Sequence, residues 1–231
     1  MNDIAKNKPD YLGHRRRLKK RFMLNEGLDA WQEYEVLELV LSYALPRKDV
    51  KPIAKELLRR FKSFSGVLDA KVDELSTVAG ISEHTALLLR LIRDCSKHYA
   101  YDQLKTQEVI SSPALAVEYL KTALRGEKNE VFHVLFLDKA HHVIAAETLH
   151  RGTVDRSVVY PRVVVERALH HHAVSIIIAH NHPGGTLSAS TQDTEMTKSV
   201  RQALETVDMV LLDHVIITKA GSLSFKEQGL L

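Results

Sequence analysis

His180, His182 and Asp193 are the residues of this chain best equipped for chemistry. Neutral imidazole nitrogen is a good zinc ligand, and two imidazoles on one face fix two tetrahedral corners. A carboxylate supplies a third, anionic corner. The fourth stays open for water, whose pKa a bound zinc lowers to about 7. Other zinc chemistries are excluded by pattern. There is no His-Glu-x-x-His helix and no Pro-Cys-x-x-Cys. The single cysteine, Cys95, rules out a cysteine-based cluster and a disulfide framework.

The elements around these residues must bring them together. Val174, Ile176, Ile177 and Ile178 form a β-branched run that reads as a buried strand. Its end carries His180 and His182, whose i, i+2 spacing in an extended chain puts both on one face. Pro183, Gly184 and Gly185 then turn the chain. Ser190 stands at a helix N-cap, with Asp193 in the first turn. The neighbouring pattern predicts a helix over 113–124, a strand over 130–137, a turn at 138–141 and a return strand over 142–150. A helix over 160–172, another over 190–207, a strand over 209–218 and a short pairing segment over 222–225 complete it. This half is a mixed sheet flanked by helices, an α/β (α+β) class.

The first hundred residues show no strand pattern. Amphipathic stretches predict helices over 13–24, 31–45, 50–61, 63–70, 71–78 and 82–101. The expected organisation is an all-α domain over 1–102, a linker over 103–112 and the sheet domain over 113–231. The first 25 residues hold eight basic and two acidic side chains. Arg15, Arg16, Arg17, Lys19 and Lys20 form a candidate phosphate-contacting arm. Val78-Ala79-Gly80-Ile81-Ser82 resembles the turn of a helix-hairpin-helix, in which backbone N–H groups meet a DNA phosphate. Ser82 stands where a second glycine is usual. DNA is therefore a candidate partner of this half, through the arm and Gly80; the alternatives are a solvated helix face for the arm and a plain αα-hairpin for the turn.

The pattern His-x-His, seven residues, Ser, two residues, Asp resembles the JAMM motif of the MPN metalloprotease-like domain. Phe136-Leu137-Asp138, Glu147 through Gly152-Thr153, Tyr160-Pro161-Arg162 and Leu211-Leu212-Asp213-His214 resemble the bacterial RadC family. Gly13-His14-Arg15-Arg16-Arg17-Leu18 and Tyr43-Ala44-Leu45-Pro46-Arg47 do so in the first half. The resemblance implies Zn2+ on His180, His182 and Asp193, and a general-base glutamate from an earlier strand. Glu147, five residues before Gly152, has the implied spacing; Glu130 and Glu166 stand outside the matching context. Ser190 matches the motif serine, an oxyanion donor, and is equally a helix cap. Ala189 replaces the family's usual proline. His170, His171 and His172 point about 100° apart on a helix and cannot grip one ion. His214 reads as a hydrogen-bonded core histidine and Cys95 as a core residue.

The expected function is a zinc-dependent hydrolase of the JAMM type acting on an amide or isopeptide bond of a protein or peptide. The alternatives are a DNA-repair-related nucleic-acid-binding protein with a structural or vestigial metal, and a metal-dependent nuclease. Bulk properties fit a globular chain: 231 residues, 45% hydrophobic, net charge +3. Up to Glu108 the balance is 20 Lys and Arg against 16 Asp and Glu; beyond it, 12 against 13. Ten of thirteen histidines lie in that second part. The lack of a signal sequence and of a long apolar run implies a cytoplasmic protein without a membrane span.

Overall fold

The computed structural model describes residues 10–24, 27–28, 30–109, 112–152 and 160–231. Thr153 of the Gly152-Thr153 pair lies outside them, as do residues 1–9 and 110–111 of the expected terminus and linker. The chain forms two compact units, Met1–Asp94 and Cys95–Leu231.

The first unit is helical. It contains α1 (Asp10–Leu24), α2 (Glu33–Ala44), α3 (Lys51–Phe61), α4 (Phe64–Asp69) and α5 (Val72–Ser76), and the start of α6 (Glu83–Lys105). Their apolar stripes meet in one core: Leu37 and Leu41 of α2, Ala54 and Leu57 of α3, Val67, Leu75, Ala86 and Leu89. Each fully buried leucine stabilises by roughly 1.5–3 kcal/mol. Helix ends follow local chemistry. Ser63 Oγ accepts from Gly66 N to start α4, and Lys62, at φ +74, ends α3. Pro46 stands just beyond α2, which it cannot continue. Arg15 donates to Leu45 O and Pro46 O at that end, a cation against bare carbonyls.

The second unit is a five-stranded sheet with helices on both faces. Its elements are α7 (Pro113–Leu124), β1 (Val131–Leu137), β2 (Val143–Arg151), α8 (Pro161–His170), β3 (Ser175–Asn181), α9 (Thr191–Glu205), β4 (Val210–Ile217) and β5 (Ser222–Ser224). The strand order is β2-β1-β3-β4-β5, with β3 and β4 parallel and every other pair antiparallel. β1 and β3 are buried throughout, which is why they read as unbroken apolar runs. Alternate residues divide between two cores. Val131, Leu135, Leu137, Ile177 and Ala179 pack with α7. Phe132, Val134, Phe136, Ile176 and Ile178 pack with Val164 and Ala168 of α8 and Val200 and Leu204 of α9. By alternation His180 belongs to the second face.

The segment read as a linker is ordered where it is described. α6 continues to Lys105, and Leu104 and Val109 are buried in the core beneath α7. Glu108 pairs with His142 in an isolated bridge. Polar composition hid these anchors, because only two of the segment's described residues, Leu104 and Val109, are apolar and buried.

Candidate metal centre

His180 lies in β3, and His182 follows the strand's last residue, Asn181. The chain is still tied to the sheet there, since His182 N donates to Ile217 O of β4. Both imidazoles therefore leave on the face of α8 and α9. Gly185, at φ +86, closes the turn by donating its N–H to His182 O. Ser190 caps α9: its Oγ accepts from Asp193 N at 3.1 Å. Asp193 Oδ2 in return accepts from Ser190 N at 2.8 Å and Ser190 Oγ at 2.7 Å.

These supports bring three ligand atoms together. His180 Nε2 and His182 Nε2 are 2.8 Å apart, and lie 3.2 and 3.4 Å from the Asp193 carboxylate oxygens. One atom from each residue falls within 4.8 Å of the others. His182 Nδ1 faces the Thr186 carbonyl at 2.9 Å and must donate to it, which leaves its Nε2 lone pair for the centre. The gap between the Nε2 atoms holds either one proton or a cation shared with the carboxylate, and three convergent donors of these types fit a metal ion.

Electrostatics agree. Burial opposes the ionisation of Asp193, but when the imidazoles of His180 and His182 are protonated their hydrogen bonds and positive charge, standing where a metal cation would, overcome it and hold the carboxyl far below the usual range. The Asp193 hydrogen bond raises the His182 pKa against desolvation, with the Thr186 carbonyl and the charges of Asp193 and Glu130 adding to it. His180 is buried, while the His182 side chain keeps 19% of its surface exposed and is the side from which a substrate can arrive.

A model of the RadC-like JAB domain matches residues 110–230 of this chain. The chain is also similar to the UPF0758 protein FN0909 of Fusobacterium nucleatum subsp. nucleatum, 39% identical over 229 residues, or 96% of this chain and 98% of that protein. The chain belongs to the RadC family. The JAB domain corresponds to the sheet and helices of the second unit.

Within this RadC-family chain Glu147 stands apart from the three ligands. It lies on β2 on the same sheet face, paired in register with Val134, which pairs with Ile178. Its carboxylate is held by Arg167 Nε at 2.7 Å, Arg167 Nη2 at 2.5 Å and His171 Nε2 at 2.7 Å. The Arg167 hydrogen bonds, aided by His171, outweigh desolvation and bring its pKa down to about 2. Glu130 is placed differently. The register pairs Phe132 with His180; continued by two residues it would bring Glu130 towards His182, whose pKa the Glu130 charge helps to raise. Asn181 fixes that approach: its Oδ1 accepts from Val131 N at 2.8 Å, and its Nδ2 donates to Glu127 O and Asn129 O. Among the described residues the Glu130 carboxylate has no hydrogen-bond or ion-pair partner.

The remaining candidates separate clearly. Ser190's hydroxyl is committed to Asp193 in both directions, so in this geometry it orients the ligand. His170 and His172 are exposed, and His171 joins Glu147, so the three do not converge. His214 is fully buried between His180 and Thr197 and stacks on Phe225. Cys95 is exposed, contrary to the core position its helical spacing suggests. The buried stripe of α6 runs through Ala86 and Leu89 and resumes at Leu104, and Cys95 lies off that line. A cavity of about 620 Å³ lies on the opposite sheet face, lined by Val117, Ile177 and Val215, and holds none of the ligands.

In the helical unit the basic arm is partly spent on the fold. Arg15 caps α2, and Lys19 stands 4.4 Å over the Tyr43 ring. Arg16, Arg17 and Lys20 are exposed, and no described residue pairs with them. Gly80 has φ +91, and a Cβ there would come within 2.8 Å of Ile53 Cδ1. Its left-handed backbone therefore favours glycine, and a side chain there would also have to shift the end of Ile53. The first turn of α6 behind it carries the acidic Glu83, which competes with any anion.

Proposed function

We propose that this RadC-family protein is a zinc-dependent hydrolase of the JAMM type that cleaves an amide or isopeptide bond in a protein or peptide. The observation that carries the reading is the convergence of His180, His182 and Asp193 with their outer atoms already tied down. A zinc ion there supplies Lewis acidity, lowering the pKa of water and polarising a carbonyl. The chain's own carboxylate for proton transfer is Glu130, opposite His182 and unpaired among the described residues. It takes a proton from the attacking water and returns it to the leaving amine. Glu147, with a pKa of about 2, is too weak a base for the task and instead braces β2 against α8. Elemental analysis of protein purified without added metal tests the centre: about one zinc per chain is expected, largely lost in Asp193→Ala. Full occupancy in that variant removes Asp193 from the ligand set. Screening isopeptide conjugates, peptides and nucleic acids then separates amide hydrolysis from nuclease activity.

We also propose weak, sequence-independent duplex DNA binding through Arg16, Arg17 and Lys20. Its support is their exposure without described partners. Phosphate contacts release counterions, with a slope of about −0.9 in log K against log salt per phosphate. Fluorescence anisotropy of the full chain should show binding at low salt, with the slope reduced by about 2–3 when all three are replaced by Glu. Binding indifferent to salt or to the substitutions refutes the assignment.

A further inference from the structure

We propose that His214 is a positioning residue of the metal centre, holding His180 in the tautomer that can bind an ion, and that Thr197 holds His214 in turn. The inference rests on the metal reading above and names the parts that make the site competent. The logic starts from a carbonyl. Thr197 Oγ1 lies 2.6 Å from Asp193 O, which can only accept, so the hydroxyl proton points there. The same oxygen lies 2.6 Å from His214 Nδ1, and with its proton already used it must accept. His214 therefore carries its proton on Nδ1. A neutral imidazole has only one, so His214 Nε2 is a bare acceptor, 2.8 Å from His180 Nδ1. His180 then carries its proton on Nδ1, and its Nε2 lone pair faces His182 and Asp193. Reversing any link puts a proton on His180 Nε2 and removes a ligand.

The fold builds this chain from three elements. Asp193 and Thr197 are one helical turn apart on α9 and share a face. His214 pairs in register with Ile178, two residues before His180 on β3. The register shift between Ile176 and Ile177 sets this up, because Ile176 pairs with Leu211 while Ile177 pairs with Asp213. Leu212 is the extra residue, and Leu212 and Asp213 both line the cavity on the α7 face. His214 thereby returns to the face of α9. Phe225, stacked 4.3 Å away, keeps its ring from turning.

Two variants test the chain without a substrate. His214→Phe keeps an aromatic ring on Phe225 but removes the acceptor. Thr197→Val keeps the shape but removes the hydroxyl, and touches no ligand side chain. Zinc affinity is measured by competition with a chromophoric chelator. His214→Phe should bind 10–100-fold more weakly, the usual cost of losing such a partner, and Thr197→Val severalfold more weakly. Thr197→Ser, which restores the hydroxyl, should recover the wild-type affinity. Long-range nitrogen–proton NMR of the metal-free protein gives an independent readout. It should show Nδ1–H on both His180 and His214 in the wild type, and a mixture at His180 in Thr197→Val, although Thr197 does not touch His180. Should His214→Phe fail to fold, the Thr197 pair decides. Failure of the wild type to bind zinc overturns the proposed function. Tight wild-type binding with affinity and tautomers unchanged in Thr197→Val overturns this inference alone.

Discussion

The two glutamates offer the sharpest distinction at the scale of single residues. Neither is a ligand, so Glu130→Gln and Glu147→Gln should both retain zinc. Against a cleaved substrate, Glu130→Gln should lose roughly 10²–10⁴-fold in kcat, the usual worth of a positioned acid–base group. Glu147→Gln should stay within about tenfold of wild type and show its defect in stability, because it leaves Arg167 and His171 without their carboxylate. The opposite ranking would restore Glu147 as the base. The convergence of His180, His182 and Asp193 was legible in the sequence because it depends on local geometry: strand alternation, a Pro-Gly-Gly turn and a capped helix. Glu130 was not, because it meets His182 only through the pairing of segments about fifty residues apart. The available signal was its position immediately before the apolar run of β1, the strand that must lie beside β3. His214's link to His180 was hidden for the same reason, since the bulge at Leu212 decides which face it occupies.

At the scale of elements, the order of helices and strands followed from periodicity and punctuation. α7 spans the expected 113–124, marked by Ser112-Pro113 at its start, and β3, marked by its β-branched run, lies one residue later than the expected 174–180. The turn at Asp138 is closed by its own carboxylate, which accepts from Ala140 N and His142 N. What composition concealed was how single residues serve the packing between elements. Gly80 is the clearest case. It suggested a backbone turned towards a phosphate, but the structure holds it at a left-handed φ, where an added Cβ would meet the side-chain end of Ile53 of α3. Gly80→Ala must strain the backbone or push Ile53 aside, at a cost of roughly 1–3 kcal/mol. Trp31 is the chain's one tryptophan and lies in this unit, so its fluorescence during urea unfolding measures the loss directly. A variant as stable as wild type would mean that the turn relaxes, and would leave Gly80 free for a role in binding.

At the scale of the whole molecule, the two units should respond differently to acid, and the sheet unit carries the groups responsible. His133 sits inside β1 with Nε2 3.2 Å from Tyr119 Oη and Nδ1 3.1 Å from Thr148 Oγ1. Burial lowers its pKa from 6.5 to about 3, with the charges of Lys97 and Arg151 adding to the effect. In the unfolded chain it protonates near 6.5, so between those values the unfolded state binds the extra proton. Its contribution to stability is therefore complete above about 6.5 and is lost as pH falls towards 3. Glu147 acts in a lower window. Its folded pKa near 2 against an ordinary 4.5 means that its contribution is present above 4.5 and lost as pH falls towards 2. Urea unfolding of the metal-free protein followed by far-ultraviolet circular dichroism, with Trp31 reporting the helical unit separately, should show the sheet unit weakening first below about pH 6.5. His133→Gln should be less stable at neutral pH but flatter between 6.5 and 4.5. Glu147→Gln should keep the upper slope and lose part of the lower one. A wild-type sheet unit equally stable at pH 6.5 and 4.5 would show that burial resists protonation neither at His133 nor at His214, which burial pushes in the same direction.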